Sequence, residues 1–326
     1  MAPIPANLRE VDLVGERNLP TVQTWSGAEI RALREAKRMS LREFAAHLGV
    51  SERMISKWEA GREAIHPRPI NQAALDTCLG HCDPDTQARF AYLAGDSLIS
   101  ADGDGVATEF TGNETIKHPV DGRLMVKVAG GVFQSGPSNE PLWVPDFYID
   151  VHPVTNADYS RFVADTGHER PQHWPEEDGA FPVVAADHPV VYVTWKDAAA
   201  YADWAGKELP SSQQWEKTAR GTRGAVYPWG DQPTPAKCNV RENGVGGTTA
   251  VDCYQSGGSP YGVYDMCGNV WEWSCTQTRP GRHELKGGAW TSPFDRVTPS
   301  AFNDAAETMC DDDTGFRCAA RGDALT

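Results

Sequence analysis

The chain has 326 residues, 23% of them charged, with a formal net charge of −15 and a pI near 5.0. That length allows two domains of roughly 100–200 residues, and the acidity excludes a protein that coats nucleic acid or anionic membrane over its whole surface. No apolar run approaches the roughly 18 residues that a membrane-spanning helix needs. The opening "MAPIPANLREVDLVGERNLP" has neither the basic nor the apolar segment of a secretion signal, so a cytoplasmic location is expected. The eight cysteines (78, 82, 238, 253, 267, 275, 310 and 318) are then expected as reduced thiols, and none forms a CxxC zinc hook.

The charge is uneven. Between Ser26 and Arg68 nine Lys or Arg stand against six Asp or Glu, an excess of three that leaves −18 for the remainder. A basic island in an acidic chain points to a small polyanion-binding module. Residues 1–24 are read as an N-terminal arm and 25–95 as that module. "SGAEIRALREAKRMSLREFAAHLGVSERMISKWEAGREA" predicts three short helices. Ser26 with Glu29, and Ser40 with Glu43, have the spacing of capping boxes. Ile30 and Leu33 are the expected core of the first helix; Leu41, Phe44, Ala45 and Leu48 of the second; Ile55 and Trp58 of the third. Gly49 supplies the turn, Ser51 caps the third helix and Gly61 is expected to stop it. A fourth helix is expected around 71–79. Helix, glycine turn, helix is an arrangement whose second helix enters the DNA major groove. It leaves Ser51, Glu52, Arg53, Ser56 and Lys57 outward, with Met54 at the edge and Arg42 at the start of the preceding helix. "SLREFAAHLGVSERMISKWEAG" resembles the phage-repressor-like (XRE) helix-turn-helix family over about 55 residues. The resemblance implies double-stranded DNA as partner and a homodimer on paired half-sites. Arg42 stands where that family usually has glutamine, so a guanine or phosphate contact is expected there in place of an adenine contact.

Residues 96–122, rich in Gly, Asp and Thr, read as a flexible linker. Residues 123–321 form the large domain and 322–326 a tail. "LMVKVAGGVFQSG" alternates like a strand pair, and "FYIDVHPVTNADYSRFVADTG" predicts a strand followed by a helix capped by Thr155. Two further helices are expected, one from Thr194 to Gly206 and one from Ser211 to Gly221. Beyond Gly221 only short strands are expected among Gly, Pro, Asn and Trp. The fold class is therefore multidomain, an all-α helix-turn-helix domain plus an α+β domain with many irregular loops, most of whose tryptophans are core.

The segments "DVHPVTNADYSRFV", "HPVVYVTWKDAAAYADWAGKELPSSQQWEKTARG", "YPWGD", "CNV", "SPYGVYDMCGNVWEW", "KGGAW" and "TGFRCAA" resemble, in that order, the formylglycine-generating enzyme or sulfatase-modifying-factor domain, a variant of the C-type lectin fold. The same fold resemblance extends to enzymes of ergothioneine synthesis, pyoverdine-maturation proteins and retroelement-diversified ligand displays, so it implies a fold more firmly than an activity. Aligned through Gly287 and Gly288, the two copper-binding cysteines of the active oxidase fall on Ser292 and Val297, and the family serine on Ala289. Neither side chain replaces a soft thiolate on Cu(I), so formylglycine chemistry is not expected. The histidines never form the His-x-x-x-Glu-x-His iron pattern, and neither a copper nor an iron site is identified.

The resemblance also implies structural calcium. One site would use Asp265, Gly268, Val270 and Glu272, with carboxylates as hard oxygen donors, and a weaker second one Asn239, Val240, Asn243 and Val245. Trp290, Thr291, Ser292, Phe294, Asp295, Arg296, Phe302 and Asn303 would line the groove where relatives hold substrate or ligand. "CDDDTGFRC" reads as a solvated acidic loop, and Gly315–Arg317 as the final core strand. The expected function is a sequence-specific DNA-binding regulator whose large domain senses a small molecule or protein. The alternatives are a metal-dependent oxidoreductase localised by its helical module, and a protein-binding scaffold.

Overall fold

The computed structural model describes residues 22, 24–80, 82, 84–94, 114–175 and 181–322. The expected arm up to 21, most of the expected linker and residues 323–326 lie outside them. Five helices come first: α1 (Gly27–Ala36), α2 (Leu41–His47), α3 (Glu52–Gly61), α4 (Pro69–Gly80) and α5 (Pro84–Ala94). Ser26 and Ser40 form the expected capping boxes with Glu29 and Glu43, which satisfies amides the helix starts would otherwise leave unpaired. Ile30, Leu33, Phe44, Ala45, Leu48, Ile55 and Trp58 are buried in one core, and Leu41 is half-buried against it. α3 does end at Gly61, but not through a left-handed glycine: Gly61 keeps helical angles, and the next residue, Arg62, takes φ +46°.

Sequence reading missed α5, whose Phe90 packs on Trp25 with ring centroids 5.7 Å apart. The Trp25 Nε1–H donates to Asp76 Oδ1 at 2.6 Å, anchoring the approach to α1 on α4. Arg34 binds both oxygens of Glu59 at 2.6 and 2.9 Å and so fixes α1 against α3.

The second domain begins earlier than expected. β1 (Thr115–Lys117) pairs antiparallel with β2 (Leu124–Val128) across a turn in which Gly122 has φ +68°, so residues 115–122 are sheet and turn, not linker. β2 and the next strand, β3 (Gly131–Ser135), do not pair as the alternation suggested. β2 joins β5 (Phe147–Asp150), and β3 joins β4 (Glu140–Val144). Then come α6 (Asn156–Thr166), α7 (Trp195–Ala205) and α8 (Ser212–Arg220), each behind a capping box at Thr155, Thr194 or Ser211. β6 (Trp271–Arg279), β7 (Arg282–Lys286), β8 (Asn303–Ala306), β9 (Thr314–Gly315) and β10 (Ala319–Ala320) complete two four-stranded sheets, ordered β1-β2-β5-β10 and β8-β7-β6-β9. Trp215 and Trp273 are fully buried, whereas Trp143 stands exposed.

Gly315–Arg317 is not one strand. β9 ends at Gly315, and Arg317 is a fully buried ion partner. Its Nε and Nη2 reach the two oxygens of Glu272 at 2.7 Å each, and Trp215 Nε1–H donates to the same carboxylate at 2.7 Å. Its remaining N–H groups donate to the carbonyls of Asp150, Val151 and Tyr264. One guanidinium thus joins β5, β6 and the loop before β6. Beside it Lys207 donates to Asp121 at 2.6 Å and Asp150 at 2.8 Å. Burial alone would raise the Asp150 carboxyl, but Lys207 and Arg123 override it and hold the group below its usual range.

Removing one partner of such a pair leaves a buried charge uncompensated, at about 3–5 kcal/mol. Arg317→Leu is therefore expected to lower stability in urea unfolding by that amount, while Arg161→Ala, at an exposed pair, costs less than about 1 kcal/mol. Equal small losses would mean that Glu272 and Arg317 are solvated.

Candidate functional site

The α2–α3 turn has the expected geometry. Gly49 adopts φ +64°, a conformation that costs glycine little, and Ser51 Oγ accepts from the Met54 amide at 3.2 Å. Because Ile55 and Trp58 point inward, Ser51, Glu52, Arg53, Met54, Ser56 and Lys57 share the exposed face of α3; Arg42 is exposed near the start of α2. Arg34 is tied up with Glu59. Arg53 and Lys57 have no hydrogen bond or ion pair among the described residues, and they lie one helical turn apart. A face of this kind, with free cations beside short polar groups, suits phosphate oxygens and base edges.

That face does not stand alone. A Cβ added to Gly49 would lie 2.0 Å from Thr234 Oγ1, so the turn rests directly on the large domain. Ala236 belongs to the helical core, and α4 packs on the short 3-10 turns Pro235–Lys237 and Gln255–Gly257. Asn243, expected as a calcium ligand, braces this contact: its Nδ2–H donates to Cys238 O at 2.7 Å and Pro235 O at 3.2 Å. Between α3 and the large domain lies a cleft of about 1510 Å³.

Gly287 and Gly288 both have positive φ, and Cβ atoms there would meet the Trp215 ring and Val297. Val297 is fully buried with Tyr227, Cys238, Val240 and Cys267, and Cys267 Sγ–H donates to its carbonyl at 2.9 Å. Burial pushes both thiols well above their usual values, so they stay protonated. Ser292 Oγ accepts from the Ala289 amide at 3.1 Å, a turn-holding role. Phe294, Tyr227 and Trp229 form a ladder of near-parallel rings with centroids 5.0 and 5.2 Å apart, and Phe294 lines the cleft. The other expected groove residues do not reach that cleft. Trp290 is half-buried, the Thr291 hydroxyl donates to Asp313, Asp295 and Arg296 are exposed, and Phe302 is exposed beside Asn303, which pairs with Leu285 in the β7–β8 ladder.

The two expected calcium sets are regrouped. Asp265 is buried with φ +57°; its Oδ2 accepts from Asn269 at 3.0 Å, while Oδ1 has no partner among the described residues. Burial pushes its carboxyl up to about 7. Asn239 comes alongside, because Gly268 lies against its carbonyl and the Asn269 amide donates to that oxygen at 2.8 Å; Asn239 Oδ1 is also unpartnered among the described residues. Val240 and Val270 are buried, Val245 is exposed, and Glu272 gives both oxygens to Arg317 and Trp215. The open oxygens of Asp265 and Asn239 are hard donors of the kind a calcium ion takes, while Glu272 has little left to offer. Asp311, Asp312 and Asp313 bring their carboxylates within 4.8 Å of one another at the surface.

Fold and site together define a helix-turn-helix module docked on a lectin-like α+β domain. Residues 26–89 match the family described as helix-turn-helix domain, and residues 112–322 match the sulfatase-modifying factor enzyme 1-like domain. The chain belongs to the latter family. It is 31% identical over 243 residues to the inactive C-alpha-formylglycine-generating enzyme 2 of Mus musculus, covering 56% of this chain and 78% of that one. It is 31% identical over 239 residues to the formylglycine-generating enzyme of Thermomonospora curvata, covering 54% and 77%. The solved structure of PvdO from Pseudomonas aeruginosa has the same fold, with a TM-score of 0.53 at 23% identity over 64% of this chain and 98% of that one. Treponema denticola variable protein 1 gives a TM-score of 0.52 at 19% identity over 64% and 99%.

The docked turn makes a prediction. Gly49→Ala combines an unfavourable φ with a collision, and is expected to cost more than about 1 kcal/mol in chemical denaturation. In a Thr234→Gly background part of that loss is recovered; an equal loss in both backgrounds would show that the turn is not seated on the large domain.

Proposed function

We propose that the protein is a sequence-specific DNA-binding transcription regulator whose large domain no longer performs the oxidase reaction and instead senses a ligand. The observation that carries this reading is the exposed face of α3, where Arg53 and Lys57 stand without ion pairs among the described residues behind a glycine turn. The large domain supports it from the other side. Ser292 and Val297, aligned with the oxidase cysteines, serve a turn and a core, and the nearby thiols of Cys238 and Cys267 are held protonated by burial. Binding as a homodimer to two half-sites one helical turn apart follows from the usual geometry of the motif, and the DNA-binding role suits the expected cytoplasmic location.

Selection from a random duplex library at moderate salt tests the reading. Wild-type protein is expected to enrich one palindromic site, and Arg53→Ala/Lys57→Ala protein to bind that site about a hundredfold more weakly, from roughly 1–3 kcal/mol per base contact. Failure to enrich any sequence at moderate salt would contradict it.

We further propose a calcium ion held by Asp265 with Asn239 and neighbouring carbonyls, supported by their unpartnered oxygens. Calcium at a hundredfold excess over its Kd adds about 2.7 kcal/mol and is expected to raise Tm by about 5 °C relative to EGTA. Asp265→Asn abolishes that difference, and identical melting of the wild type with calcium and with EGTA would remove the ion from the account.

A further inference from the structure

The cleft between α3 and the large domain has two unlike walls. One side carries Arg53, Lys57 and Arg68, all exposed. None of the three has an ion pair among the described residues, and among those residues no Asp or Glu lines the cleft, although the chain carries −15 overall. The other side presents Gln232, Pro233, Pro235 and Phe294, with Phe294 backed by the Tyr227 and Trp229 rings.

Duplex DNA fits this arrangement poorly. A recognition helix in a major groove about 12 Å wide is flanked by phosphates on both sides, and those phosphates look for N–H and O–H donors. Two prolines and a phenylalanine offer no side-chain donor to a phosphate, and Gln232, the one polar side chain lining that wall, is uncharged. At the base of the cleft, the contact between Gly49 and Thr234 brings the large domain up to the turn itself. An occupant with one anionic edge and one flat apolar face satisfies both walls, because the cations neutralise the edge while the prolines and the ring ladder cover the face.

We propose that this interdomain cleft is a binding site for an aromatic organic anion, and that the anion and duplex DNA exclude one another. The exclusion rests on the reading of α3 as the DNA-contacting helix, while the ligand site itself does not. The sensor's ligand would then touch the DNA-reading side chains directly, and no signal need cross the body of either domain. The effective DNA affinity falls as the ligand concentration rises past its Kd, since one surface serves both.

The probe is 1-anilinonaphthalene-8-sulfonate, which carries a sulfonate on fused rings. Its fluorescence is titrated against the full chain, the Phe294→Ala and Arg68→Ala variants, and a Phe302→Ala control that removes an exposed ring remote from the cleft. Wild type and control are expected to bind alike, and each cleft variant to bind about tenfold more weakly. In a second arm the probe is added to a fluorescent duplex carrying the selected site. Displacement is read against each protein's own duplex Kd: the probe is expected to displace the duplex from wild type, and from Phe294→Ala only at about tenfold higher concentration after that correction. Unchanged probe affinity in both cleft variants overturns the site, and a complex of chain, probe and duplex together overturns the exclusion. Should no duplex bind at all, the regulator reading falls, and the first arm alone upholds or overturns the ligand site.

Discussion

The contact between Gly49 and Thr234 constrains the rest of this molecule. Any side chain at Gly49 would collide with the threonine, so the tightest turn of the helical module is also its point of attachment to the large domain. Since α3 begins two residues after Val50, seating the turn determines where the reading face points. Arg53, Met54 and Lys57 are aimed across a cleft at Phe294 and the prolines before Ala236. A helix-turn-helix on a free tether would show the same exposed face to solvent in every direction. Here one flank is already occupied by protein, and in the proposed regulator that occupation is what links DNA reading to the state of the second domain.

The large domain can serve as that wall because its irregular half is held rigidly. Few regular hydrogen-bond ladders run through residues 221–270, so side chains take over the work. Arg317 ties the Tyr264 carbonyl of that stretch to Glu272 and to the adjacent carbonyls of Asp150 and Val151, and outside it Lys207 joins Asp121 to Asp150. Buried ions in such numbers are costly to desolvate, and each is matched by an opposite charge or by several acceptors. Asn243 and the Phe294–Tyr227–Trp229 ladder extend this order to the rim of the cleft. The loop at Gly287 and Gly288 needs both glycines because its backbone passes against Trp215 and Val297, a packing requirement independent of any chemistry.

Much of this was legible in the sequence, where local rules decide. Ser26 and Glu29, Ser40 and Glu43, Thr155, Thr194 and Ser211 announced helix starts through a hydrogen bond spanning three residues, and the structure has each of them. The order of motifs from "DVHPVTNADYSRFV" to "TGFRCAA" announced the second domain. What escaped were long-range relations. Nothing in "GFRC" indicates that Arg317 crosses to Glu272, 45 residues away in sequence. The strand at 115–117 hid inside a polar stretch because β1 is a short edge strand with one half-buried residue. Ligands assigned to separate calcium sites met, as Asn239 reached Asp265 through Asn269, while Asn243 went to the domain contact. In the expected ligand groove only Phe294 faces the interdomain cleft, since the cleft depends on a docking that no single-segment pattern encodes.

Hydrogen–deuterium exchange on the full chain, with and without the selected duplex, tests the central claim most directly, because it reads both walls at once. DNA should slow exchange across 51–58 and speed it across 232–236, as the helix enters the groove and the domain contact opens. Protection of 51–58 with no change at 232–236 would contradict the account, since DNA would then reach the helix without disturbing the docked domain.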